Sequence, residues 1–331
     1  MKLIFRCDAS YLIGTGHIKR CLAIASQLKR RGFEIIFIVR KSKLNITSTI
    51  KKQYRVLEII ETELPDSNQN KFNSDKKLDY SLWLGCSEEQ DVKDCINLIK
   101  KEDIVDIDYI FVDHYTLTKT WQELIKKGIE DNNIGKSVKI ISFKDIKNFS
   151  SAADIIISYQ EDYIEKTSRE NIYKDSSLIY NGSGYAPIAG EYKKERFNIS
   201  FRKELNNILI FFGGSDKNNY TELALKALTQ DLFSQIQINI VIGNAFQWKQ
   251  SILKLAEKRS KTLIHQNLPS LSHLISNTDL AIGAGGVTSW ECAFLGLPSI
   301  IIPTAKNQID GVKYLESKGS IIVIKTKDRE F

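Results

Sequence analysis

Apolar residues along the chain fall into short unbroken runs, separated by stretches in which they recur every three or four positions. The runs read as buried strands and the periodic stretches as amphipathic helices packed on them. Leu3–Phe5 is the first run. Gly14-Thr15-Gly16 interrupts it, and Ile18, Cys21, Leu22, Ile24, Ala25 and Leu28 then trace a helical face. Lys29-Arg30-Arg31 and Gly32 end that helix, with cations beside the exposed carbonyls and a glycine just beyond them. Ile35–Val39 is the next strand. Strand, helix and strand make a βαβ unit and hence a parallel sheet.

The rhythm continues through a helix over Asp91–Lys100, a strand over Tyr109–Val112 that runs into Asp113-His114-Tyr115, and a helix over Trp121–Lys127. Val138–Phe143 and Ile155–Ser158 are further strands, whereas Ser42 to about Lys77 is polar and irregular, a variable loop with short elements. From Glu161 to Lys194 the chain turns polar again, with Gly182, Gly184 and Pro187, and the connection between domains is expected there. A second alternation starts at Asn207. Strands Ile208–Phe212, Ile236–Ile242, Thr262–His265, Leu280–Gly283 and Ile300–Ile302 are interleaved with helices over Tyr220–Leu228, Lys249–Glu257, Leu271–Ser276 and Ser289–Leu295. The fold class is therefore α/β, with two Rossmann-like doubly wound domains, 1–190 and 191–331, expected to face a cleft.

Composition narrows the partners. A chain of 331 residues is long enough for two cores, and 42% hydrophobic with 26% charged residues is ordinary for a globular protein. The net charge of +7 is spread over runs of mixed sign, such as Lys100–Asp103, with no basic stripe interleaved with aromatics. Nucleic acid is not an expected partner. Five scattered cysteines without a Cys-x-x-Cys pair suggest neither a zinc site nor a disulfide framework. Charge breaks the N-terminal apolar run too early for a signal peptide, and no apolar run approaches a membrane span. A cytoplasmic monomer without stable membrane association or metal is the expectation.

Three glycine turns carry candidate chemistry. Gly14-Thr15-Gly16-His17-Ile18-Lys19 is no dinucleotide fingerprint, because Lys19 replaces the third glycine and the next strand ends in Arg40-Lys41 rather than an acid. It instead places His17 at a helix N-terminus, where the dipole favours the neutral ring and so a possible base. Gly283-Ala284-Gly285-Gly286, followed by Val287-Thr288-Ser289-Trp290-Glu291, lies between a strand and a helix, where free N–H groups and the dipole would wrap a phosphate. Thr288 and Glu291 also fit a capping box, although Glu291 is spaced to reach a ribose diol. Gly213-Gly214-Ser215-Asp216 repeats this geometry at the same sheet edge. Asp113-His114-Tyr115 and Asn307-Gln308 end strands toward the same rim. Trp83-Leu84-Gly85 reads as packing, and His265 and His273 as surface or helix residues.

In order and spacing, these motifs resemble the UDP-2,4-diacetamido-2,4,6-trideoxy-β-L-altropyranose hydrolases of pseudaminic acid biosynthesis, relatives of the MurG-type glycosyltransferases of GT-B fold. The resemblance rests on Arg6-x-Asp8, Ile13 through Arg20, Trp83-Leu84-Gly85, Val112 through Tyr115, Gly184 through Pro187, Phe212 through Asp216, Gly283 through Glu291, Gly296 through Ser299, and Asn307-Gln308. It implies hydrolysis of a UDP-sugar at the sugar C1–O bond with inversion, without a cofactor. His17 would be the base, Tyr115 would help hold the water, and Asn307 would contact sugar or phosphate. Substrate contacts would come from Arg6, Asp8, Gly14, Gly16, Gly213, Gly214, Ser215, Gly285, Gly286, Thr288, Ser289, Glu291 and Gln308.

The chain departs from the family at Phe143-Lys144-Asp145, where paired aspartates are usual, and at Ile188-Ala189-Gly190, where an arginine commonly follows Tyr-Ala-Pro. Both bear on the sugar pocket. The end at Phe331, soon after Ile321–Ile324, suggests a short member or a truncated end. A transferase using the same donor and a nucleotide-sugar binding protein without turnover are the competing readings.

Overall fold

The computed structural model describes residues 1–10, 13–44, 46–60, 83–144, 150–160, 177–243, 245–266 and 268–325, which divide into two units, Met1–Pro187 and Ile188–Phe331. In the first unit, β1 (Lys2–Cys7), α1 (Gly16–Arg30), β2 (Glu34–Arg40), α2 (Thr47–Lys51), β3 (Arg55–Ile59), α3 (Glu88–Lys101), β4 (Tyr109–Asp113), α4 (Lys119–Asp131), β5 (Lys139–Phe143), β6 (Ile155–Ser158) and β7 (Leu178–Asn181) follow in chain order. The strands form one parallel sheet in the order β3-β2-β1-β4-β5-β6-β7, which reverses direction between β1 and β4.

Side chains alternate across this sheet. In register, Phe5 stacks on Phe37 with centroids 4.9 Å apart and meets Phe111 at 5.0 Å, which fills one face. Each such pair contributes about 0.5–1.5 kcal/mol beyond its buried area. Ile4, Ile36 and Ile110 point to the other face, into a core with Trp121 of α4 and Ile96 and Ile99 of α3.

Arg6 and Arg40 lie within this unit, 1% and 2% exposed, against the first turns of α3. Asp91 accepts from Arg6 Nη2 at 2.7 Å, Arg40 Nη2 at 2.6 Å and Trp121 Nε1 at 2.9 Å. Burial alone would raise the Asp91 carboxyl, but the two guanidinium groups outweigh it and hold it well below the usual carboxylate range. Arg6 Nη1 also binds Asp8 at 2.6 Å, and Asp8 accepts the Arg40 backbone N–H at 2.7 Å. Arg6 and Asp8, expected as substrate contacts, are buried at the end of β1, where Arg6 is tied to Asp91 and Asp8 and only Oδ1 of Asp8 accepts these hydrogen bonds.

Two stretches without clear periodicity are more ordered than the pattern suggests. Between Ser42 and Ile60 lie α2 and β3, an edge strand whose partly exposed Val56 and Glu58 weaken the apolar signal. Residues 61–82 lie outside the described residues, as does Asp145. Strand β7 falls inside the stretch read as interdomain connection. At the sheet edge its Leu178 and Tyr180 are exposed, so its sequence looks polar and irregular.

The second unit contains α5 (Gly190–Arg196), β8 (Asn207–Phe211), α6 (Tyr220–Ala227), β9 (Gln237–Ile242), α7 (Lys249–Ala256), β10 (Thr262–Gln266), α8 (Ser272–Ser276), β11 (Leu280–Ala284), α9 (Val287–Phe294), β12 (Ser299–Ile302), α10 (Ile309–Ser317) and β13 (Ile321–Val323). Its parallel sheet runs β10-β9-β8-β11-β12-β13, reversing between β8 and β11. At that point a Cβ on Gly283 would collide with the Phe211 carbonyl oxygen, so only glycine lets β11 end beside β8. Among the described residues no helix is long and apolar enough to cross a membrane.

Candidate functional site

In an open parallel sheet the loops at the carboxyl ends diverge where strand order reverses, and ligands bind there. In the first unit that point joins the β1–α1 loop to the end of β4. Gly14, at φ +79°, closes the loop by donating its N–H to the Ser10 carbonyl at 2.8 Å. Gly16 opens α1 with free space where a Cβ would stand, and His17 is the second residue of that helix.

His17 Nδ1 lies 2.7 Å from Asp113 Oδ1 at the end of β4. Arg20, one turn along α1, clasps both oxygens of the same carboxylate through Nε and Nη2. Its Nη2 also lies 3.1 Å from His17 Nδ1. A carboxylate only accepts and a guanidinium only donates. The 2.7 Å contact therefore requires the proton on Nδ1, and the arginine approach is proximity rather than a hydrogen bond. In the neutral ring the lone pair then falls on Nε2, which has no hydrogen-bond partner among the described residues. Burial would raise the Asp113 carboxyl, yet Arg20 and His17 hold it well below the usual carboxylate range. Asp113 stays charged and fixes the ring; Arg20 balances its charge and is itself held by Tyr159 Oη at 3.2 Å and the Phe143 ring at 5.1 Å.

Aromatic rings border the imidazole. Tyr115 meets His17 edge-on at 4.6 Å, and Trp83 lies 5.4 Å from Tyr115 and 6.3 Å from His17. Trp83, read as packing, belongs to the His17 cluster. His114, next to Tyr115, is buried with its Nδ1 accepting the Thr116 N–H at 3.1 Å, so its proton is on Nε2. That nitrogen lies 3.6 Å from Asp8 Oδ2. Burial pushes His114 down to about 4, so the ring is neutral and the contact is not an ion pair.

Arg20 escaped the sequence reading as a site residue, although its position three residues after His17 puts both on one helical face. Asp113 stood out as a polar strand end without a role, because nothing local pairs it with a residue 96 positions earlier.

In the second unit the reversal point brings together the ends of β8, β11 and β12. Helix α9 starts at Val287 with Gly286 as its N-cap and no side-chain cap, so its first-turn N–H groups can meet an anion. The capping box that Thr288 and Glu291 also fit does not form, since Thr288 already lies inside the helix. Ser289 is 2% exposed and its hydroxyl returns to the Gly286 carbonyl at 2.7 Å, which removes it from direct ligand contact.

Gly285 is also a correction. Its N–H donates to Gln308 Oε1 at 3.1 Å, and a Cβ there would collide with Val312 Cγ2. It is a packing glycine. Gln308 Oε1 accepts the Thr304 N–H too, at 2.9 Å, so this side chain ties the β11 and β12 loops together and only its amide nitrogen remains to donate outward. Asn307 lies in the adjoining 3₁₀ turn, half-buried.

After β8, Gly213 takes φ +89°, and Gly213 and Gly214 have open space around a would-be Cβ. Asp216 accepts from the Tyr220 and Thr221 N–H groups at 3.0 and 2.8 Å. The N-terminus of α6 thus already holds its own anion, and only the turn Gly213–Ser215 remains open. Glu291, on the second turn of α9, is half-buried and accepts a hydrogen bond from Tyr192 Oη.

Residues 208–330 match the glycosyltransferase family 28 C-terminal domain. An uncharacterized protein of Methanocaldococcus jannaschii is 29% identical over 310 residues, 91% of this chain; the chain spans 55% of that relative's length. The UDP-2,4-diacetamido-2,4,6-trideoxy-beta-L-altropyranose hydrolase of Campylobacter jejuni is 25% identical over 327 residues, 96% of this chain and 97% of its own. Among solved structures, MurG of Acinetobacter baumannii superposes with a TM-score of 0.58 at 15% identity, covering 98% of this chain and 86% of that one. The likeness establishes the fold: two parallel-sheet α/β domains of the GT-B type.

Proposed function

We propose that the chain hydrolyses a UDP-linked 2,4-diacetamido-2,4,6-trideoxy hexose of the altrose type to UDP and the free sugar, the reaction of pseudaminic acid biosynthesis. The observation that carries this reading is the His17–Asp113 pair at 2.7 Å, which turns Nδ1 to the carboxylate and leaves Nε2 unpartnered among the described residues. Similarity to the Campylobacter hydrolase along nearly the whole of both chains supports the same substrate class.

His17 Nε2 takes a proton from water while the water oxygen attacks the anomeric carbon. The C1–O bond to the β-phosphate breaks, UDP leaves, and the anomeric configuration inverts. Tyr115 helps position the water, and Asn307 contacts the sugar or the diphosphate. In the second unit Gly286, Thr288 and the first turn of α9 take the diphosphate, with Gly213, Gly214 and Ser215 beside them. The helix dipole and loop N–H groups stabilise the charge that develops on UDP. Glu291 accepts from the ribose hydroxyls. Gly14 and Gly16 keep the backbone before His17 open to substrate.

The match to a glycosyltransferase domain over 208–330 favours a second reading, transfer of the same sugar to an acceptor. One experiment separates them. The protein is incubated with UDP-2,4-diacetamido-2,4,6-trideoxy-β-L-altropyranose and no acceptor, and proton and phosphorus NMR follow UDP and free sugar. Stoichiometric release of both at a catalytic rate is expected. An intact donor in the presence of folded, UDP-binding protein points to the transferase.

A further inference from the structure

Helix α5 has seven residues, too few to be stable alone, so what docks it matters. Tyr192, Glu195 and Arg196 are spaced to share one face of it. Glu195 Oε2 accepts from Ser276 Oγ on α8 at 3.0 Å. The Arg196 guanidinium lies 4.7 Å from the centroid of the Phe294 ring and donates to the Phe294 carbonyl at the end of α9. One turn back on both helices, the Tyr192 hydroxyl donates to the Glu291 carboxylate. Tyr192 and Arg196 thus meet Glu291 and Phe294 in the same order along two neighbouring helices. Tyr192 is 3% exposed, and nothing in the proposed chemistry yet uses it.

We propose that Tyr192 is a positioning residue for the nucleoside site: its hydroxyl fixes the Glu291 carboxylate in the orientation that accepts from the ribose hydroxyls. This rests on the reading of Glu291 as the ribose acceptor. A carboxylate offers about four lone-pair sites. The phenol donor takes one of these sites and holds the rotamer. Burial, and then the neighbouring carboxylate, push the Tyr192 phenol far above its ordinary range, so it remains a donor at every pH at which the protein folds. Tyr192→Phe removes that donor and keeps the ring packed.

The test compares UDP with 2′-deoxy-UDP by isothermal titration, alongside melting curves, for the wild type, Tyr192→Phe, Glu291→Ala and Arg196→Ala. The wild type should prefer UDP, and Tyr192→Phe should lose about three- to tenfold in UDP affinity with a smaller loss for the deoxy analogue. The preference narrows. Arg196→Ala, which loosens α5 without touching Glu291, should lower the melting temperature and keep the preference. A Tyr192→Phe protein that melts lower yet discriminates as the wild type does has lost only packing, and the proposal fails. If Glu291→Ala also discriminates as the wild type does, the ribose reading fails first and takes the proposal with it.

Discussion

Asp113 Oδ1 lies 2.7 Å from His17 Nδ1, and the sheet is what brings the two together. Cys7, the last residue of β1, pairs in register with Asp113, the last of β4. The helix entered nine residues after β1 then presents His17 and Arg20 to that carboxylate. The orientation of the imidazole is therefore set by strand pairing and one helical turn, both rigid.

Asp113→Asn tests this dependence. An amide facing Nδ1 can donate as well as accept, which no longer holds the ring with Nδ1–H toward residue 113, so kcat for UDP-sugar hydrolysis should fall about a hundredfold or more. Arg20 also loses its buried counter-charge, which costs about 3–5 kcal/mol and should appear as a lower melting temperature. UDP affinity, which the proposed mechanism assigns to the second unit, should stay within about twofold. An unchanged kcat in folded variant protein would remove Asp113 from the mechanism.

Two adjacent glycines separate packing from binding. Gly285→Ala forces a methyl into Val312, an overpacking expected to cost about 1–3 kcal/mol of stability. At Gly286 the same methyl meets open space, and φ of −83° suits any residue. Gly286→Ala should therefore fold nearly as well as the wild type but crowd the approach to the first turn of α9 and weaken UDP. Melting curves and UDP titrations should show opposite rankings for the two variants. The same ranking in both assays would mean that the loop acts as one structural piece.

The alternation of strands and helices was legible because parallel strands buried on both faces read as plain apolar runs. Leu3–Phe5 and Ile208–Phe212 show it well. The edge strands of the first sheet, β3 and β7, escaped, since Arg55, Leu178 and Tyr180 are exposed and the contrast is lost. Glycine turns marked the loops but not which glycine serves what. Gly285 and Gly286 look alike in sequence, but Val312 and Gln308 stand behind the first and open space beside the second. Partners distant in sequence, such as His17 with Asp113 or Glu291 with Tyr192, leave no local pattern at all.

Acid should destabilise the first unit in two stages. His114 is held down at about 4 in the fold, against an ordinary histidine value near 6.5. Between these values the unfolded chain binds a proton that the folded chain does not, so stability falls as pH drops from about 6.5 to 4, by at most about 1.4 kcal/mol per pH unit. Below about 4, Asp91 and Asp113, both held well under the usual carboxylate range, extend the loss for the same reason. The groups that bear on His114 include Asp8, Arg6, His17 and Asp91. Urea titrations at several pH values should show a shallower slope in His114→Gln above pH 4. Identical slopes in the variant and the wild type would mean that His114 takes up its proton in the fold as readily as in the unfolded chain.

His17→Asn is the most direct test of the chemistry. Asparagine keeps a polar group at the start of α1 and can donate to Asp113, so folding should survive and UDP affinity should remain nearly intact. Without an imidazole Nε2 no group takes the proton from water, and kcat should fall about a hundredfold or more. The product gives a second, independent reading. Direct attack by water on one face of the anomeric carbon inverts it, so NMR taken before mutarotation should show the inverted anomer first. Retention would require a covalent glycosyl-enzyme and a carboxylate nucleophile. Asp113 cannot serve as that nucleophile, because Arg20 and His17 already occupy its oxygens, so retention would send the search elsewhere. A His17→Asn protein that turns over at the wild-type rate would remove His17 from the chemistry and leave the Asp113 pair as architecture.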